Sequence, residues 1–111
     1  MIAVIFEVTP NEDKSERYFE LAASLKAELE TVDGFISIER FQSLTNEGKV
    51  LSLSIWRDRD AVEDWFSRTE HQAAQAEGRA GIFKDYRIRV AEVFRDYDMA
   101  AGRPGTGELA D

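Results

Sequence analysis

The sequence contains a single histidine, His71, and this side chain is the one best suited to move a proton near neutral pH. It could act as a general base, or as a hydrogen-bond donor to a substrate oxygen. It also lies in the first turn of a short helical segment that starts near Thr69, where a polar residue needs no function. Both interpretations stay open on the residue types alone.

Four further residues could stabilise a negatively charged oxygen. The guanidinium groups of Arg40, Arg87 and Arg89 and the hydroxyl of Tyr86 are suitable donors. Taken singly, residues of these types are more often solvated strand residues or members of an interface ion pair. We take His71, Tyr86 and Arg87 as candidate catalytic residues and Arg40 as a candidate substrate ligand.

The aromatic side chains Trp65, Trp56 and Phe41 could form the walls of a pocket for a planar molecule. Trp65 lies on the apolar side of a predicted helix, so it fits the protein core at least as well as a pocket. Trp56 and Phe41 fall on a mixed strand face, and a dimer interface explains them somewhat better than a pocket does. We take all three as candidate substrate-binding residues.

Several kinds of chemistry are excluded or disfavoured. The absence of cysteine rules out disulfides, iron–sulfur clusters and thiolate metal sites. The serines have no accompanying histidine and aspartate arrangement of a hydrolase, and the run from Gly78 to Gly81 is too short to indicate a phosphate loop. No acidic pair has convincing metal-ligand spacing. The sequence also lacks a dinucleotide-binding glycine fingerprint, so we expect no metal or flavin cofactor.

Length and charge restrict the class of protein further. The chain of 111 residues is 43% hydrophobic, which fits one folded domain with a real core. Its net charge of −8 and the lack of a basic cluster argue against nucleic acid and anionic membranes as partners. No apolar run approaches the ~20 residues of a membrane span, and the first residues lack signal-peptide features. We expect a cytoplasmic protein.

The elements that must position these residues follow from hydrophobic periodicity. Residues 2–8 are apolar and β-branched or aromatic, which predicts a buried strand. Thr9 and Pro10 then predict a helix start, and Asp33-Gly34 predicts its end. Between them an apolar stripe recurs at helical spacing: Tyr18, Leu21, Ala22, Leu25, Leu29 and Val32.

A hairpin follows, with strands predicted over residues 35–44 and 49–57. Pairing Leu44 with Lys49 would place Ile38 opposite Ile55, and Phe41 on the same face as Trp56. Asp60 is the predicted cap of a second helix. This helix should break near Arg68, restart directly afterwards and continue to residues 76–78. A last strand should run from Ile82 or Lys84 to Tyr97. We expect one domain over residues 1–97 and a flexible tail over residues 98–111.

The order of these elements, βαββαβ, predicts an α+β protein of ferredoxin-like type, with a four-stranded antiparallel sheet and both helices on one face. The strands carry apolar residues on both faces. An uncovered apolar face of this size would be unusual for a monomer. The pattern therefore favours a homodimer that packs sheet against sheet.

Four segments resemble the antibiotic biosynthesis monooxygenase domain family of the dimeric α/β-barrel superfamily. They are the opening MIAVIFEV, the stretch DGFISIERF at 33–41, LSLSIW at 51–56 followed by Trp65 and His71, and YRIRVAEV at 86–93. The resemblance covers about residues 1–97. It implies a homodimeric α/β barrel with a pocket between helices and sheet in each subunit, where members oxygenate or isomerise small aromatic or quinol-like molecules, commonly without metal or flavin.

The family also contains haem-degrading enzymes, whose axial histidine lies about three helical turns after a helix tryptophan. Here Gln75 occupies the place ten residues after Trp65, so the haem pattern is not met. The resemblance thus implies a cofactor-independent monooxygenase that acts on a small phenolic or quinol-like metabolite. An isomerase with the same pocket, and a dimer that binds a small hydrophobic ligand without catalysis, are the alternatives.

Overall fold

The computed structural model describes residues 1–102, and these residues form four strands and three α-helices in the order βαββααβ. The strands are β1 (Ile2–Pro10), β2 (Phe35–Gln42), β3 (Val50–Trp56) and β4 (Phe83–Glu92). The helices are α1 (Ser15–Leu29), α2 (Arg59–Ser67) and α3 (Thr69–Glu77). A 3₁₀ turn at Glu12–Lys14 precedes α1, and a π turn at Gly78–Ile82 follows α3. None of the helices described is long and apolar enough to cross a bilayer.

The four strands form one antiparallel sheet in the order β2-β3-β1-β4. This is the order expected when two βαβ units interleave. Residues of the helices pack against alternate residues of β1 and β3 on one face of the sheet, because side chains along a strand alternate between faces. The predicted ferredoxin-like α+β fold is confirmed.

The core consists of two apolar clusters at opposite ends of the helix-covered face. The first cluster centres on Trp56, which is 1% exposed, and joins β1 and β3 to α1 and α2 through Leu29, Val62 and Trp65. The second joins Val8 and Val50 to Tyr18 of α1 and Ile82 of the π turn. The middle of the helix-covered face lies between the two clusters and belongs to neither.

The other face of the sheet, here called the open sheet face, has no helix of residues 1–102 against it. Its centre is apolar, since Ile5 of β1 lies opposite Leu53 of β3, whereas Glu39 lies opposite Leu53 on the outer strand β2. Charged residues lie near its edges, where Glu7 binds Lys49 at 2.7 Å and Arg89 at 2.7 Å. These cations hold the pKa of Glu7 below its ordinary value, with the Lys49 hydrogen bond as the largest cause.

The predicted register of the hairpin was wrong by one residue. Arg40 lies opposite Ser52 and Phe41 opposite Leu51, because Ser43 rather than Leu44 bonds to Lys49. A slip of one residue moves every side chain of a strand to the other face. Arg40 therefore shares the helix-covered face with Ser52 and Ser54, whereas Phe41 lies on the open sheet face.

Several predicted element boundaries were also wrong. Pro10 ends β1 instead of starting α1, since the Asn11 amide binds the Ile82 carbonyl at 2.8 Å and keeps the chain against the sheet. The cap of α2 is Asp58 rather than Asp60, and its Oδ1 accepts the Ala61 amide at 3.0 Å. The predicted break at Arg68 is confirmed, because this residue is extended between α2 and α3.

The last strand ends at Glu92, before the predicted Tyr97, although the Val93 amide still binds the Met1 carbonyl at 3.0 Å. In the predicted tail, the Gly102 amide closes a turn on the Asp98 carbonyl at 2.8 Å. Residues 103–111 of that predicted tail lie outside the described part of the chain, so its flexibility stays a prediction.

Two glycines with positive φ offer a test of the packing between β2 and α2. Gly34 has φ +94°, and a Cβ there would lie 2.7 Å from the Ala61 Cβ, whereas Gly48 has φ +84° and nothing near it. Both Ala substitutions incur backbone strain of about 1–3 kcal/mol. Gly34→Ala should lower the free energy of unfolding by a further ~1–3 kcal/mol, because it also overpacks the α2 contact. Urea unfolding of both variants measures the difference, and equal losses would contradict the described contact.

Candidate active site

A cavity of about 110 Å³ lies between the helices and the middle of the sheet. Its floor comes from helix-facing residues of all four strands, among them Val4, Phe6, Ile38, Ser52, Ser54 and Ile88. Its roof comes from α1, α2 and α3, including Leu21, Ala22, Leu25, Phe66, Ala74 and Gln75. An apolar cavity of about 150 Å³ can hold benzene, so this one is somewhat smaller than a cavity known to take a ring.

The two serines of β3 explain why the cavity exists. Along its helix-facing side β3 reads Val50, Ser52, Ser54 and Trp56, with large residues at the ends and small ones in the middle. Each of the two serines is buried, and Ser54 Oγ accepts a hydrogen bond from the Trp56 indole at 2.8 Å. The small side chains leave the space, and the hydrogen bond fixes the indole at its edge.

Aromatic rings connect this indole to the histidine. Trp56 lies against Trp65 with ring centroids 6.5 Å apart, and Trp65 lies 4.9 Å from the His71 ring. Phe66 stacks on His71 at 5.2 Å with an angle of 15° between the rings. Consecutive residues of α2 therefore hold the imidazole from two sides.

Arg68, the residue at the break, fixes where α3 begins. Its guanidinium binds Glu28 and Thr31 near the end of α1 at 3.0 Å each, and Asp64 of α2 at 3.2 Å. At the other end of α3, Glu77 binds Arg17 of α1 at 2.6 Å. These contacts hold α3 along α1, with His71 and Gln75 facing the cavity.

His71 has the properties of a neutral base. Its Nδ1 is buried and has no hydrogen-bond partner among residues 1–102. Burial lowers the pKa of His71 from its ordinary value of 6.5, and the Phe66 backbone carbonyl partly opposes this effect. The imidazole is therefore uncharged at neutral pH, and it lines the cavity with one buried ring nitrogen that has no partner in this part of the chain.

Tyr18 and Arg40 add polar groups from the opposite side of the cavity. Tyr18 is 4% exposed, and burial raises the pKa of its hydroxyl, while the neighbouring Arg40 guanidinium opposes this rise. The Nε atom of Arg40 is buried and lacks a partner in the described part of the chain. Tyr18 was predicted only as part of the apolar helix stripe. Its hydroxyl, the one hydrogen-bonding group in that stripe, is the signal that could have identified it.

The structure brings together four of the seven predicted site residues. Arg40, Trp56, Trp65 and His71 all line the cavity. Tyr86 lies on the helix-covered face but outside the cavity lining, and its ring contacts Phe6 at 6.0 Å and Phe83 at 5.7 Å. Phe41 and Arg87 lie on the open sheet face, away from the cavity. The catalytic and binding roles assigned to these seven residues stay predictions.

The expectation that Trp56 is better explained by a dimer interface was wrong, because its side chain is buried within one chain by Phe35 and Trp65. Ser52, Ser54 and Gln75 were not predicted as ligands, although they line the cavity. Among the residues described, no group of three or more His, Asp or Glu lies close enough together to hold a metal ion.

Comparison with known proteins agrees with this architecture. A protein of Pyricularia oryzae named jasmonate monooxygenase ABM is 43% identical over 93 residues, which covers 84% of this chain and 43% of that protein. The uncharacterised protein YqjZ of Bacillus subtilis is 33% identical over 93 residues, which covers 84% of this chain and 79% of YqjZ. This chain thus spans less than half the length of the Pyricularia relative.

Solved structures share the fold at low sequence identity. A Deinococcus radiodurans protein assigned to the antibiotic biosynthesis monooxygenases superposes with a TM-score of 0.80 at 13% identity, over 89% of this chain and 98% of that one. Rv0793 from Mycobacterium tuberculosis superposes with a TM-score of 0.77 at 16% identity, over 87% and 98% of the two chains. These similarities show a common architecture.

The sheet, its one-sided helix layer and the aromatic cavity between them define a ferredoxin-like protein with an internal cavity. The family model for antibiotic biosynthesis monooxygenase matches residues 1–77, which is more than half of the chain. The chain belongs to this family, as the resemblance of its strand sequences implied.

The half-buried imidazole of His71 makes the stability of the protein depend on pH. The unfolded chain binds a proton at about pH 6.5, whereas folded His71 binds it only at lower pH. The free energy of unfolding should therefore fall as the pH decreases through 6.5 towards the lower folded-state pKa, and His71→Gln should lack this component. Urea unfolding between about pH 8 and pH 5.5 tests this, since the carboxylates titrate below that window. A pH-independent difference between the two proteins would contradict a half-buried neutral His71.

Proposed function

We propose that the protein is a cofactor-independent monooxygenase that oxidises a small phenolic or quinol-like molecule in the cavity. The observation that carries this proposal is the neutral His71, whose ring lines an aromatic cavity and whose Nδ1 has no partner among residues 1–102. In this proposal a planar ring lies between the serine floor and the aromatic wall. Its hydroxyl would then lie within reach of the imidazole.

In this reaction His71 takes the proton of the phenol hydroxyl and leaves an electron-rich phenolate. The phenolate gives an electron to dioxygen, and the two radicals combine to form a carbon–oxygen bond. Loss of water then yields the quinone, so that one phenol and one dioxygen become one quinone and one water. The substrate supplies all the electrons, and the proton on His71 returns with the departing water.

The apolar wall contributes by excluding solvent. Proton transfer to His71 and charge on the phenolate both have larger energetic effects where water is excluded. Trp65, which is 5% exposed, closes the side of the cavity next to His71. It sets which ring shapes fit against the imidazole.

The Pyricularia relative supports monooxygenase activity in general, because its name assigns that class of reaction. Its name also gives jasmonate as a compound to include in a substrate screen beside simple phenols and quinols. Isomerisation of the same ligands would need the same base but no dioxygen. Binding without reaction would need neither the base nor dioxygen.

Oxygen uptake upon addition of a phenol or quinol should separate these functions. His71→Ala should lower turnover by ~10²–10⁴-fold, because a positioned general base typically contributes that much. Trp65→Phe should alter KM more than kcat, since it changes the wall beside the ring. Gln72→Ala is the matched control, because Gln72 is the exposed neighbour of His71 on α3. Substrate conversion without oxygen uptake would indicate an isomerase, and wild-type kinetics in folded His71→Ala would remove the histidine from the mechanism.

We also propose that two copies of the chain associate through the open sheet face. Support comes from the apolar centre of this face, where Ile5, Leu51, Leu53 and Ile55 adjoin without a helix above them. Phe41 extends this surface on β2 and is 42% exposed. A second copy of the same face would remove these side chains from water.

Sedimentation at micromolar concentration should give twice the mass of one chain. Phe41→Asp should weaken this association, because it buries an unpaired charge in the apolar contact. Leu44→Asp introduces the same charge at a fully exposed position in the loop between β2 and β3, so it should leave the mass unchanged. A stable monomer of the wild-type protein, or a dimer insensitive to Phe41→Asp, would contradict this interface.

A further inference from the structure

Arg40 is half-buried and faces the cavity without a carboxylate. Among residues 1–102, the other half-buried cations are Lys49, which binds Glu7, and Arg68, which binds Glu28. Arg40 has no such ion pair in the same part of the chain, and its Nε is buried and unpartnered. No Asp or Glu is among the residues that line the cavity.

The position of Arg40 separates it from His71. Arg40 lies opposite Ser52, four residues along β3 from Trp56. That spacing is about 13 Å along a strand. Trp56 belongs to the apolar cluster beside Trp65 and His71, whereas Tyr18 belongs to the second cluster at the other end of the face. The polar groups of the cavity therefore form two separate sets.

The set formed by Arg40 and Tyr18 is suited to an anionic oxygen pair. The Arg40 guanidinium offers a planar fork of donors that matches a carboxylate. The Tyr18 hydroxyl adds a further donor, since it lies beside the guanidinium and stays protonated at neutral pH. A buried donor without an acceptor is unfavourable, and a bound carboxylate would supply that acceptor.

We infer that the natural ligand is an apolar molecule with a carboxylate at one end, which Arg40 and Tyr18 bind while its reactive end lies against His71. This inference rests on the proposed function for the identity of the reactive end. A simple phenol has one oxygen and cannot occupy both polar sets. The carboxylate would therefore determine which end of the substrate reaches the imidazole.

A matched pair of probes tests this, namely phenylacetate and phenylacetamide, which differ in charge and hardly in shape. Their binding can be measured by calorimetry or by the fluorescence of Trp56 and Trp65, without turnover. At pH 7 the wild-type protein should bind phenylacetate at least about tenfold more tightly than phenylacetamide. Phenol, which is neutral at this pH, should bind no more tightly than the amide.

Arg40→Gln should abolish the preference for the acid, and Tyr18→Phe should reduce it. Arg79→Gln is the control, because it removes the same charge from an exposed position in the turn after α3. It should retain the preference. If Arg40→Gln does not fold, Arg40→Lys supplies the second variant, since it keeps the charge but removes the fork and should weaken the preference.

Equal affinity of wild-type protein for acid and amide, or no binding of phenylacetate at millimolar concentration, would overturn the inference. So would a preference that survives in folded Arg40→Gln. Because these measurements need no reaction, they are independent of the oxygen-uptake test. Preference for the acid without oxygen uptake would refute the proposed reaction and leave the carboxylate site in place. Oxygen uptake without preference for the acid would refute the carboxylate site and leave the proposed reaction in place.

Discussion

The row of side chains that β3 presents to the helices determines the rest of the structure. Val50 and Trp56 fill the ends of this row, whereas the side chains of Ser52 and Ser54 are too small to fill its middle. A sheet packed against helices would normally be filled to crystal-like density along its whole length. Here the two ends carry the apolar clusters that stabilise the fold, and the middle carries the cavity. The apolar clusters that stabilise the fold and the cavity are thus adjacent segments of one face of the sheet.

The hydrogen bond from the Trp56 indole to Ser54 links these two parts. Without an acceptor, the buried indole N–H would be unfavourable, so the same serine that creates space also stabilises the wall beside it. Trp56 then orients Trp65, and Trp65 with Phe66 holds the imidazole. The small residues of β3 therefore influence, through Trp56 and Trp65, the position of His71 on α3, which follows much later in the chain.

The sequence was sufficient to predict the order of the elements and the fold, because hydrophobic periodicity and turn residues agree along the chain. It was not sufficient to predict the hairpin register. Ser43 Oγ accepts the amides of Thr45 and Asn46 at 3.2 and 2.9 Å, and this arrangement sets the turn one residue earlier than the predicted pairing with Leu44. Such a capping contact depends on side-chain geometry that residue types alone do not specify.

The same limitation explains the partial prediction of the site. His71 was found because a lone histidine is conspicuous in the sequence, and Trp65 because it follows an amphipathic pattern. Phe41 and Arg87 were placed among the site residues, but the alternation of a strand directs them to the opposite face. Tyr18 was concealed within an apolar stripe, since only the folded structure shows that Arg40 lies beside its hydroxyl.

The ends of α3 have a consequence for how the family site can diversify. An extended residue, Arg68, precedes this helix, and Gly78, where any Cβ would overlap the Phe83 ring, follows it. Helix α3 is therefore held at both ends, and the Phe83 ring that holds the second end also lines the cavity. Its inward residues Ala74 and Gln75 line the same cavity, but Ala74 is buried and leaves little space for a larger side chain. Gln75 is consequently the position on α3 where the cavity wall can vary while both attachments of the helix stay the same.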